Sequence, residues 1–63
     1  MNWQLKKEIT EQYGTQADFA SKLGVSQSIV SEAVRGRRNL SKKEKTKWAK
    51  NLNTNPSELF KNV

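Results

Sequence analysis

Gln27, Ser28, Ser31 and Glu32 place short polar side chains on one outward side of a single helical stretch. A Gln amide offers a donor and an acceptor together, the pair that adenine N6 and N7 require. A Ser hydroxyl adapts to either role, and a carboxylate can accept from cytosine N4. These residue types recognise base edges; they do not make or break bonds. Beyond them lie Arg35, Arg37, Arg38, Lys42, Lys43, Lys45, Lys47 and Lys50, against a single acid, Glu44. A charge run by itself is most simply a solvated basic face. This one starts where that polar helical stretch ends, in a chain of net charge +6, which favours a polyanion partner.

Catalysis has no comparable set of residues. The chain holds no His and no Cys, which excludes a Cys/His zinc site and disulfide staples. No two carboxylates are placed to share a cleft, and Gly14, Gly24 and Gly36 stand at helix boundaries rather than in a phosphate-cradling loop. The expectation is a non-enzyme with no cofactor, no metal and no small-molecule substrate. Trp3 and Trp48 are not interleaved with basic residues as stacking platforms for single strands are.

These side chains must be carried by helices, because no strand pattern competes. At 63 residues the chain is expected to form one domain, residues 1–63. A first helix is predicted from Asn2 to Gln12 or Tyr13, with Leu5, Ile9 and Tyr13 on one face and Gly14 as its stop. Thr15 begins the second helix, with Asp18 in a capping-box position, and Leu23 ends it. Gly24 supplies the positive φ that closes this helix, Val25 makes an apolar corner contact, and Ser26 can cap the next helix through its hydroxyl. The third helix runs to about Arg35, burying Val30, Ala33 and Val34, and Gly36 terminates it. Ser41 and Glu44 form a fuller capping box for a fourth helix ending near Leu52, with Leu40 as a hydrophobic staple. Asn55 caps a short fifth helix that has Pro56 at its first position and Glu58 facing its N-terminus. The fold class is therefore all-α, five helices. Its core is drawn from Trp3, Leu5, Ile9, Tyr13, Phe19, Leu23, Val30, Leu40, Trp48, Leu52, Leu59 and Phe60.

Two short helices meeting at Gly24 have the layout of a helix-turn-helix DNA reader. The string Gln16-Ala17-x-Phe19-Ala20-x-x-x-Gly24-Val25-Ser26-Gln27-x-x-Val30-Ser31, followed by Arg35-Gly36-Arg37-Arg38, resembles the Cro/C1-type family of phage and bacterial regulators. The resemblance covers nearly the whole chain and implies a compact lambda-repressor-like domain with the motif at helices two and three. It implies that Gln16 touches a phosphate and supports Gln27, the first residue of the recognition helix. Base contacts then fall on Gln27, Ser28, Ser31 and Glu32. Phosphate contacts fall on Thr15, Gln16, Arg35, Arg37, Arg38, Asn39, Lys42 and Lys43. Three positions depart from the family. Relatives more often carry a non-acidic residue at Glu32, which either reads cytosine or pairs with Arg35. Ile29 stands where a small polar residue is common, and partial burial is its expected role over a thymine-methyl contact. Val34 replaces a polar residue that relatives often pair with helix one.

The implied partner is double-stranded DNA, read by a Cro-like transcriptional repressor of phage, prophage or bacterial origin acting as a homodimer. Leu59, Phe60 and Val63 are candidates for the dimer surface, although core packing is the expected fate of the first two. The rival reading is a protein-binding module, antirepressor or antitoxin-like, that reuses the fold and docks through Ile29 and Glu32. An RNA-binding role ranks third, since no RNA-module signature is present. No apolar run is long enough to span a membrane and no signal-peptide core is visible, so no membrane partner is expected. The expected location is cytoplasmic, at the nucleoid of a bacterial host.

Overall fold

Each helix start is a place where the backbone lacks partners, and short polar side chains supply them. In the computed structural model, which describes residues 1–60, the helices are α1 (Trp3–Tyr13), α2 (Gln16–Leu23), α3 (Gln27–Val34), α4 (Lys42–Asn51) and α5 (Pro56–Leu59). Asn2 Oδ1 accepts from the Leu5 N–H at 3.0 Å. Thr15 Oγ1 accepts from Asp18 at 3.1 Å and Asn55 Oδ1 from Glu58 at 2.9 Å. Ser41 and Glu44 complete a reciprocal capping box, at 3.1 Å and 3.0 Å. Asn2, expected as the first residue of α1, is thus the cap just outside it, while Thr15 caps α2 as its spacing from Asp18 predicts. Ser26 departs further. It occupies the cap position of α3 in extended backbone, yet its hydroxyl makes no capping hydrogen bond. The preceding corner fixes the entry to α3 instead.

That corner is a pair of backbone bonds. The Val25 N–H donates to the Ala20 carbonyl at 3.0 Å and the Gly24 N–H to Ser21 at 3.2 Å, with Gly24 left-handed at φ 75°. This is the Schellman pattern, and Val25 packs on the core beside it. The pattern recurs after α3, which ends at Val34 rather than Arg35. Arg37 donates to Glu32 at 2.9 Å and Gly36 to Ala33 at 3.2 Å. After α4 it recurs with a non-glycine: Asn53 takes φ 54° while Thr54 donates to Ala49 at 3.0 Å. Asn is the side-chain-bearing residue that accepts this conformation most readily.

The helices bury one cluster, with α2 and α3 packed on each other, α1 across both, and α5 against α4. Phe19 is its centre. Tyr13 lies 5.1 Å from the Phe19 ring on one side and Trp48 meets it edge-on at 5.7 Å on the other. Ala20, Ala33 and Ala49 are buried where helices approach closely. The expected core residues are buried with two exceptions. Tyr13 is half-buried, its hydroxyl donating to the Asn51 carbonyl at 2.8 Å. Trp3 is 67% exposed and belongs to no core. The reason is angular: at ~100° per residue, Trp3 lies about 200° around α1 from Leu5 and so on the opposite face. Lys6 Nζ stands 5.3 Å from the centre of its ring.

Side chains also satisfy carbonyls on neighbouring elements. The Asn2 N–H donates to Val34 at 2.7 Å and its Nδ2 to Leu59 at 2.9 Å, tying the start of α1 to the ends of α3 and α5. Gln12 Nε2 donates to Leu52 at 2.6 Å. Lys47 Nζ donates to Leu23 at 3.3 Å. No helix among the described residues is long and apolar enough to cross a membrane.

Candidate nucleic-acid interface

The amphipathic sequence of α3 sorts its residues cleanly. Val30, Ala33 and Val34 are buried, whereas Gln27, Ser28, Glu32 and Arg35 are exposed and Ser31 is half-buried. Those last five line one shallow concavity of about 300 Å³. Donors, acceptors, one carboxylate and one guanidinium thus share a single open surface. Among the described residues no ion pair joins Glu32 to Arg35, although both line it. Ile29 is half-buried and packs against the core, the expected packing role. The Val34 side chain is within the core and makes apolar contact where a polar side chain would pair with α1, while its carbonyl accepts from the Asn2 N–H.

The residues expected on phosphates fall into three groups. At the start of α2, Gln16 is half-buried and Thr15 is exposed. The Thr15 oxygen is occupied by the Asp18 N–H, which leaves its hydroxyl hydrogen to donate. Arg35, Arg37, Arg38 and Asn39 are all exposed along the connection from α3 to α4. Its course is set by the left-handed Gly36, φ 79°, and by the buried Leu40 at its far end. Lys42 and Lys43, exposed in the first turn of α4, are not part of the α3 concavity. They line a second one, about 650 Å³, with Thr46, Lys47 and Lys50.

Glu44 sets the charge balance where the connection meets α4. The Ser41 backbone N–H and hydroxyl hold its carboxyl below the usual carboxylate range, and Arg38 adds to this by charge. The acid is hydrogen-bonded locally and stays ionised, one negative charge against the basic residues around it. Among the described residues no group of three or more His, Cys, Asp or Glu could hold a metal ion.

A family model described as Helix-turn-helix matches residues 5–59. The match spans α1 to α5 and includes the Gly24 corner. The chain belongs to the Cro/C1-type helix-turn-helix family. Its five helices are consistent with the lambda-repressor-like fold. In this helix-turn-helix protein α2 and α3 form the motif, and the family makes it a DNA-binding regulator. No curated protein and no solved structure matches this helix-turn-helix chain.

The sequence placed Asn2 at a helix start and Lys47 and Lys50 in the basic run without assigning any of them a contact. Asn2 was legible as a cap by type, but its bonds to Val34 and Leu59 join positions far apart in the chain. Lys47 and Lys50 carry a signal, since with Lys43 they recur at helical spacing on one face.

Proposed function

We infer that this chain is a sequence-specific double-stranded DNA-binding repressor, Cro-like and of phage, prophage or bacterial origin, with residues 1–63 acting as one domain. The observation that carries the reading is the concavity on α3, lined by Gln27, Ser28, Ser31, Glu32 and Arg35 on the face opposite the core. A helix anchored by one face and polar on the other fits the major groove. Gln27 addresses adenine, Ser28 and Ser31 adapt to neighbouring bases, and Glu32 accepts from cytosine N4. Thr15, Gln16, Arg35, Arg37, Arg38, Asn39, Lys42 and Lys43 grip phosphates and set the register. The protein works as a homodimer on paired half-sites about one helical turn apart, at the nucleoid in the cytoplasm. Leu59 and Phe60 are buried in the protomer, which leaves the dimer surface elsewhere; Val63 lies outside the described residues.

Selection of binding sites from a random duplex pool tests this. Enrichment of one sequence with two spaced half-sites is the expected result, and uniform binding across duplexes overturns specific regulation. Arg37→Glu with Arg38→Glu should abolish DNA binding. If that variant instead keeps a protein partner through α3, the protein-docking reading takes its place.

A further inference from the structure

Lys42, Lys43, Thr46, Lys47 and Lys50 lie at the spacing of a single helix face, which runs roughly 12 Å along α4. Helix α4 has little with which to balance this charge. Its acid, Glu44, is engaged by the Ser41 N–H at 3.0 Å. Lys45 is directed elsewhere, with Nζ 5.8 Å from the centre of the Phe60 ring. Lys42 and Lys43 sit in the first turn, where the helix dipole disfavours cations, and Lys43 and Lys47 form a like-charged pair one turn apart. Such a face gathers positive charge on one open surface, which attracts a polyanion.

Lys47 shows where the face lies in the fold. Its bond to the Leu23 carbonyl, 3.3 Å, lands on the residue just before the Gly24 corner. The lysine face therefore borders the turn that delivers Gln27. Through Lys42 and Lys43 it also continues the basic connection from Arg35 to Asn39. We propose that this face of α4 is a phosphate track for duplex DNA flanking the bases that α3 reads, with Lys47 and Lys50 extending it beyond Lys42 and Lys43. Lys47 exchanges the Leu23 carbonyl for a phosphate oxygen when DNA is bound. The track rests on the reading that α3 enters the groove.

Each phosphate neutralised adds about 0.9 to the steepness with which log Kobs falls against log salt. The test measures that slope for the full chain on its selected duplex. Lys47→Gln with Lys50→Gln should flatten it by roughly 1.8, and Lys50→Gln alone by roughly 0.9. The single variant leaves the Leu23 contact intact, so its result stands even if the double variant unfolds. Base preferences should be unchanged in both. Lys6→Gln with Lys7→Gln, on the Trp3 side of α1, is the control and should leave the slope as it was. Specific binding with an unaltered slope in the α4 variants overturns the track. A changed base preference does too, because α4 would then be reading sequence. A wild-type protein without sequence preference overturns the repressor reading itself.

Discussion

At the scale of single residues, Gln27 and Glu32 are one turn and a little more apart on an exposed surface, but they make different demands on DNA. Gln27 is neutral and can satisfy adenine with two hydrogen bonds. Gln27→Ala should cost roughly 1–3 kcal/mol of binding and relax preference at one position, as read by repeating site selection. An equal loss on every duplex would reduce Gln27 to a positioning residue. Glu32 carries charge toward a phosphate-lined groove, so its presence is favourable only where an amino group receives it. Glu32→Gln should therefore lower the preference for cytosine at one position while strengthening binding to unrelated duplexes. A selection profile identical to the wild type would remove Glu32 from the reading set. Both outcomes come from the same measurement and need no assumption about the operator.

Among the elements, the corner and the caps decide whether α3 is presented at all. Gly24 has nothing within 4 Å of where a Cβ would sit, so Gly24→Ala meets no clash, only the backbone cost of φ 75°. That cost is about 1–2 kcal/mol, visible as a lower denaturant midpoint with an unchanged m-value. The α4 cap makes a prediction about pH. Glu44 is held below its ordinary carboxylate range chiefly by the Ser41 N–H. Folding therefore gains from ionised Glu44 above the unfolded carboxylate pKa, and that gain disappears as pH falls through the lower folded value. Thermal melts between neutral and acid pH should show Glu44→Gln losing less stability on acidification than the wild type. Parallel pH curves would mean that the cap contributes no proton linkage.

For the whole molecule, a chain of 63 residues has room for one core, and Phe19 with Trp48 forms its centre. Trp48→Ala should cost about 3–5 kcal/mol. Total stability for a domain of this size is of the order of 3–9 kcal/mol, so this variant should lose most of its cooperative melt. Trp3→Ala, on an exposed face, should stay within about 0.5 kcal/mol of the wild type. The two tryptophans are chemically identical, and the helix face on which each falls separates them: Trp3 lies opposite Leu5 on α1, whereas Trp48 is on the buried face of α4. The sequence by itself determined the five helices, the caps at Thr15, Ser41 and Asn55, the Gly24 corner and the polar face of α3. Those are relations between residues a few positions apart, where propensity, periodicity and capping act directly. Tertiary structure alone decided that Asn2 ties α1 to α3 and α5, and that Lys47 reaches Leu23. Each of these depends on which helix lies beside which. The energy of that choice is in apolar burial and long-range carbonyl pairing, neither of which is encoded within any single turn of chain.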